Sequence, residues 1–338
     1  MGYWAEKLKV EKKMKILKRV LLGILLLCIL GLCIFSAFVP PESWKYYVQK
    51  PDISKRKTGE LRIHFLNVGQ GDCALLELPD GKIMLIDGGE ENGDVERTIL
   101  RYLNALDIQT LDYLVLTHAQ GDHFGGLTEV LRYKKVRQAY LPPAAPDSDK
   151  DYAEFFAALI KTGCAWEYSS RKLGALGANA DDMQYPYTLT FLSPYSQDVD
   201  DALQTGECDD NALSAVLWLD YQGVSALFTG DITAEVESVL VRDDGLGLFE
   251  NRGVTLNDTE ILKVPHHGGV NAASAEFLEY LGVKTAIVSC GKNNPYGHPT
   301  QETLERLREA QAEVYRTDES GHILVTVSPN GEYTVDNR

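Results

Sequence analysis

The stretch Thr117-His118-Ala119-Gln120-Gly121-Asp122-His123 places three metal-ligating side chains within six residues, directly after the apolar run Leu111 to Leu116. That run reads as a buried strand. A strand closing on His-x-x-x-Asp-His aims two imidazoles and a carboxylate at one point from a tight loop. Neutral nitrogen beside anionic oxygen suits Zn²⁺ or Mn²⁺.

Other segments share this construction. Ile83 to Ile86 closes on Asp87-Gly88-Gly89, and Leu227-Phe228-Thr229-Gly230 closes on Asp231. Ile261 to Pro265 runs into His266-His267-Gly268-Gly269, and Asn294-Pro295-Tyr296-Gly297-His298-Pro299 carries a histidine in a turn-rich loop. Four of the seven histidines fall into two compact clusters, which unrelated surface histidines rarely do. Asp72 ends a Gly-Gln-Gly turn, where Gly69 and Gly71 permit a tight backbone. His64 alternates with Ile63 and Phe65 and is expected to point outward, and His322 is read as structural.

The order of these motifs resembles the metallo-β-lactamase superfamily, and within it the ComEC-like hydrolase domains of competence proteins, over about residues 61–328. The resembling residues are Phe65 to Asp72, Leu85 to Gly89, Thr117-His118 through Asp122 to Gly126, Thr229 to Asp231, Val264 to Gly268 and Asn294 to Pro299. The resemblance implies an α/β fold of the αββα sandwich type, with its site at one sheet edge. Asp122, His123 and His266 would hold one ion, and Asp231 would bridge to a second ligated by His118. Two positions depart from the pattern. Gln120 stands where many members carry a histidine, and no histidine lies between His123 and His266. Asp209, Asp210 or Asn211 would then complete the shell through oxygen. One or two ions, Zn or Mn, are implied.

The implied chemistry is hydrolysis of a phosphodiester, in DNA or the cell envelope, by a metal-bound hydroxide. Asp122, His267 and His298 are the expected catalytic residues. His267 would meet a nonbridging oxygen, and His298 would protonate the leaving group or bind substrate with Asn294 and Tyr296. Asp87 and Asp72 would orient ligands, although Asp72 reads equally as a turn former. Two other classes remain open: a lactonase or β-lactamase, which the missing histidines count against, and an accessory binding module of a DNA-uptake system.

Composition sets the surroundings. Val20 to Val39 is a run of twenty residues without a charge, enough to span a hydrocarbon core of roughly 30 Å. It reads as a single-pass anchor. A cleaved signal peptide is the rival, disfavoured by the poor cleavage site at Phe35 and Ala37. The basic tail, residues 1–19, is expected inside, and residues 60–338, the hydrolase domain, outside the cell membrane, with 40–59 as tether. Residues 1–60 hold 12 of the 33 basic residues but only 5 of the 49 acidic ones, so the remainder carries about −23. Affinity for nucleic acid comes largely from phosphate neutralisation, so this balance argues against a long nucleic-acid footprint, while a metal site can still grip one phosphate. Cys73, Cys164, Cys208 and Cys290 form no C-x-x-C pair and read as free thiols.

The elements that must position these side chains follow from periodicity. Strands are expected at Leu61 to Val68, Cys73 to Leu78, Lys82 to Asp87 and Leu111 to Leu116, then Leu213 to Leu219 with Val224 to Thr229 as a hairpin. Ile261 to Val264, Thr285 to Ser289 and His322 to Val327 complete the set. Helices are expected at Asp94 to Leu106, Asp151 to Lys161, Thr233 to Val241, Ser274 to Tyr280 and Thr300 to Ala310. Gly163 to Asp210 is poorly patterned and reads as a surface insertion near the site mouth.

Overall fold

Leu61, Ile63 and Phe65 alternate with Arg62 and His64 along the first strand, β1 (Leu61–Phe65), and this alternation assigns its two faces. The apolar side enters a core between two sheets, where the rings of Phe65 and Phe228 stack at 6.0 Å. His64 does leave the opposite face, yet that face is not open to solvent. A helix covers it, and His64 sits fully buried between the Tyr102 hydroxyl at 2.9 Å and Glu77 Oε1 at 3.0 Å.

The computed structural model describes residues 2–38, 41–47, 50–144, 149–173, 184–205 and 209–337. Residues 39–40 and 48–49 of the expected anchor and tether, and 174–183 and 206–208 of the expected insertion, lie outside the described residues. The chain divides into two units, Met1–Lys50 and Pro51–Arg338. The first is built on α1 (Gly2–Phe38), of which Glu11–Ser36 is long and apolar enough to cross a membrane.

In the second unit the chain lays down β1, β2 (Ala74–Glu77), β3 (Ile83–Ile86), β4 (Thr110–Val115), β5 (Lys135–Leu141) and β6 (Ala165–Tyr168). It then builds β7 (Tyr187–Ser193), β8 (Val216–Tyr221), β9 (Val224–Phe228), β10 (Ile261–Lys263), β11 (Thr285–Val288) and β12 (Glu313–Arg316), and returns with β13 (Ile323–Val327) and β14 (Tyr333–Asn337). One sheet has the order β14-β13-β1-β2-β3-β4-β5-β6 and the other β12-β11-β10-β9-β8-β7. The pairs from β3 to β6 and from β9 to β12 are parallel, so their carboxyl ends share an edge within each sheet.

Helices cover both outer faces. On the first sheet lie α2 (Gly93–Ala105), the short α3 (Gly121–Phe124), α4 (Leu127–Tyr133) and α5 (Lys150–Thr162). Then come α6 (Ser196–Thr205) and, over the second sheet, α7 (Ala234–Gly245), α8 (Ala275–Leu281) and α9 (Gln301–Glu309), whose Leu240, Phe277, Leu281 and Leu307 pack on Trp218, Leu227 and Leu262. Each such buried side chain contributes about 1.5–3 kcal/mol. Side-chain caps start four helices where the sequence allows them: Asn92 for α2, Asp149 for α5, Ser274 for α8 and Thr300 for α9. Each is worth about 1 kcal/mol. The architecture is an αββα sandwich.

The stretch read as an insertion is partly scaffold. β7 is a buried strand pairing antiparallel with β8, and its Leu189 and Phe191 enter the inter-sheet core.

Candidate metal centre

Five of the parallel strands, β3, β4, β9, β10 and β11, each hand the following loop one part of the site. Asp87 follows β3, and Thr117, His118, Asp122 and His123 follow β4. Asp231 follows β9, His266 and His267 follow β10, and His298 lies on the loop after β11. Loops leaving the carboxyl ends of parallel strands are where open α/β sheets gather ligand groups. Asp72 joins them from the turn between β1 and β2. There Gly71 has φ +113, and a Cβ on it would lie 2.1 Å from the Asp122 carbonyl oxygen.

The turn after β10 decides which of two adjacent histidines faces inward. Pro265 opens it, and His266 (φ +47), His267 (φ +53) and Gly268 (φ +80) all adopt the left-handed region. Two consecutive non-glycine residues there store strain of order 1–3 kcal/mol each. The result is that His267 is buried, whereas the His266 side chain remains 38% exposed on the rim.

Five residues converge. His267 Nε2 lies 3.3 Å from Asp231 Oδ2 and 3.4 Å from Asp122 Oδ2, and His123 Nε2 lies 3.5 Å from Asp231 Oδ1. His118 Nε2 is 4.0 Å from Asp231 Oδ2. Two ligands on one Zn²⁺, each about 2.1 Å from it, sit roughly 3.5 Å apart in tetrahedral geometry. Four overlapping trios each have ligand atoms within 4.8 Å of one another: His118, His123 and Asp231; Asp122, His123 and His267; Asp72, Asp231 and His267; Asp72, Asp87 and His123.

Hydrogen bonds set the tautomers. Asp87 accepts from the Thr117 backbone N–H and hydroxyl, both at 2.8 Å, and from His123 Nδ1 at 2.9 Å. With its proton given to Asp87, the Thr117 oxygen can only accept from His118 Nδ1, 3.1 Å away. His267 Nδ1 donates to the Ser289 carbonyl at 2.9 Å. In all three rings Nδ1–H is engaged and Nε2 is turned into the cluster. The Nε2 atoms of His118, His123 and His267, with Asp72 Oδ1 and Asp231 Oδ1, are buried without a hydrogen-bond partner among the described residues. An orphaned buried polar atom costs about 1–3 kcal/mol, so five facing one another fit a divalent cation.

Charge points the same way. Burial would neutralise these groups, but their mutual fields prevail. Against burial, His267 and His123 hold the Asp231 carboxyl well below its ordinary range. Also against burial, Asp231 and Asp87 push His123 up to about 10, and Asp231 and Asp72 raise His267. Burial, helped by the neighbouring His123, lowers His118 to about 3 and keeps it neutral. Lys263, an ammonium inside buried β10, contacts Asp72, lies 3.8 Å from Asp231 Oδ1 and donates to the Gly230 carbonyl. That lysine faces Asp72, Asp231 and Asp87, one ammonium among three carboxylates.

The remaining expected residues lie outside this convergence. His266 Nε2 is 3.9 Å from Asp231 Oδ2, at the rim of the cluster and in none of the trios, and the left-handed turn sets His267 deeper than it. The two departures from the superfamily pattern meet each other, since Gln120 Nε2 donates to Asn211 Oδ1 at 2.8 Å. Asp209 caps its own turn through the N–H groups of Asn211 and Ala212, and Asp210 follows it half-buried in that turn. His298 stands beside the rim, its ring 5.6 Å from His266 and 6.3 Å from His267. Asn294 is spent on its own loop, donating to the carbonyls of Gly291 and His298 and accepting from the N–H groups of Tyr296 and His298. Sequence reasoning missed Lys263 and the linking role of Thr117. A lone lysine in the apolar run Ile261 to Val264 was the available signal.

A model of the metallo-β-lactamase superfamily matches residues 66–292. The chain belongs to that superfamily. It is 31% identical over 281 residues to ComE operon protein 3 of Bacillus subtilis, covering 79% of this chain and 33% of that protein. It is 27% identical over 267 residues to Recombination protein 2 of Haemophilus influenzae, covering 78% and 28%. The homology is distant, and the chain spans about a third of the length of these relatives. Among solved structures, the metallo-β-lactamase fold protein YhfI from Bacillus subtilis aligns with 82% of this chain and 100% of its own, at 12% identity and a TM-score of 0.47. With its buried histidine–aspartate cluster, this superfamily member is a metal-dependent hydrolase.

Proposed function

We propose that the chain is a membrane-anchored phosphodiesterase whose hydrolase domain lies outside the cell membrane. The observation that carries the hydrolytic reading is the set of buried, unpartnered Nε2 atoms facing Asp122 and Asp231. A bound divalent ion, Zn²⁺ or Mn²⁺, supplies an acidified water and offsets charge on phosphoryl oxygens. His118, Asp122, His123, Asp231 and His267 hold it, Asp87 fixes the His123 ring, and Lys263 holds Asp72 in place. His298 is lowered by burial and by the charges of His267 and His266, so at neutral pH it is an uncharged imidazole. That suits it to orient a substrate oxygen by a neutral hydrogen bond rather than to deliver a proton as imidazolium. Similarity to a recombination protein and to competence-type domains favours DNA over an envelope phosphodiester.

The test is turnover by the full chain in detergent, loaded with Mn²⁺ or Zn²⁺, on single-stranded DNA, bis-p-nitrophenyl phosphate and a β-lactam. Phosphodiester cleavage abolished by Asp231→Ala and by His267→Ala is the expected result. Turnover of the β-lactam alone, or an inert metal-loaded protein, overturns the proposal.

A further inference from the structure

The loop from Gly291 to His298 carries a feature the hydrolytic chemistry does not use. Tyr296 is 65% exposed and is the single exposed aromatic ring among the described residues of the second unit. Its ring stacks on His298 at 5.7 Å with 28° between planes, and His298 stacks on His267 at 6.3 Å and 29°. Three near-parallel rings therefore step from solvent to the metal cluster. The platform is rigid, since the four bonds of Asn294 tie the loop to itself. Beside His298 a cleft of about 660 Å³ has Lys292 and Arg316 in its lining, together with Asp318 and Glu319. Arg316 is committed to Asp318 and Glu319, whereas exposed Lys292 has no ion pair among the described residues.

We propose that Tyr296 is a stacking subsite for the nucleobase next to the scissile phosphate, so that the substrate is a single-stranded nucleic acid gripped over about one nucleotide. The inference rests on the phosphodiesterase reading and narrows it to base-bearing substrates. A domain carrying about −23 cannot hold a strand by phosphate neutralisation along its length. A base offers an uncharged face that stacks on an exposed aromatic ring whatever its sequence. A paired base has no free face to offer, so the strand must be single. An envelope polymer of glycerol or ribitol phosphate has no ring to stack.

The experiment compares a ten-residue oligothymidylate with an abasic strand of equal length, using the full chain loaded with Mn²⁺. Cleavage gives KM and kcat, and fluorescence anisotropy with phosphorothioate versions of both strands gives binding independently of turnover. The expected preference for the base-bearing strand is about 5- to 150-fold, expressed in KM and in binding but not in kcat. Tyr296→Ala should reduce that ratio to near one, and Tyr296→Phe should keep most of it. Equal use of both strands by the unmodified chain, or an unchanged ratio in Tyr296→Ala, overturns the stacking subsite. If neither strand is cleaved but binding shows the ratio and its loss in Tyr296→Ala, the subsite stands and the phosphodiesterase reading falls.

Discussion

Which atom of which histidine points inward is settled by details smaller than spacing. Residues at the ends of apolar runs, His118, Asp122, His123 and Asp231, could be located from sequence because buried strands deliver their first loop residues to a common edge. The choice between His266 and His267 could not, because it depends on three successive left-handed residues that no periodicity encodes. Metal affinity should separate the two. His267→Ala should weaken binding severely, and His266→Ala should change it little, as titration calorimetry would read; equal losses would contradict the inward placement of His267. Asp87→Asn should cost roughly 10- to 100-fold in affinity, because the bonds that fix both the His123 and the Thr117–His118 tautomers pass through that carboxylate. Protons report on the same geometry. Against burial, the Asp231 and Asp87 carboxylates push His123 up to about 10, so without metal the ring is protonated at pH 7.5 and an ion must displace that proton. Apparent affinity should therefore fall about tenfold for each unit of acidification below 10 per proton released. The heat of binding should differ between Tris and phosphate buffers, and a buffer-independent heat would refute proton displacement.

Elements were legible where local chemistry and tertiary need agree. The five expected helices occur with ends shifted by a few residues at most, because caps such as Asn92, Asp149 and Thr300 mark their starts. β7 was hidden although Tyr187-Thr188-Leu189-Thr190-Phe191 alternates, because flanking acidic and small residues gave the whole stretch the look of a loop. The short β12 and β14 are edge strands with half-exposed faces and little apolar signal. The turn after β10 is the element on which function leans most. Gly268 has φ +80, and a Cβ there would lie 2.7 Å from the Cβ of Pro299. Gly253 has a similar φ of +69 with open space around it, and is the natural comparison. Gly253→Ala should cost only the left-handed penalty of about 1–2 kcal/mol. Gly268→Ala adds the overlap, and should lower the melting temperature further and weaken metal binding as His267 is displaced. Equal melting temperatures and intact metal binding in both variants would show that the turn is not held this tightly.

At the scale of the whole molecule, charge distribution restricts how a strand of nucleic acid can be held. Basic residues gather in the first sixty positions, around an apolar helix, while the hydrolase domain is acidic. Binding through many phosphates would make affinity fall steeply with salt, with a slope of about −0.7 per neutralised phosphate on a single strand. A grip consisting of one stacked base, Lys292 and the metal cluster involves one or two phosphates. The logarithm of the binding constant should then decline with the logarithm of salt concentration at a slope near −1, between about 50 and 200 mM salt. Anisotropy titrations with the phosphorothioate strand give that slope directly. A slope of −4 or steeper would require a basic track that the acidic domain does not offer, and would move the binding surface to the lysines and arginines near the N-terminal helix. A shallow slope that persists in Lys292→Ala would assign the remaining contact to the ion held by Asp122, Asp231 and the three inward imidazoles.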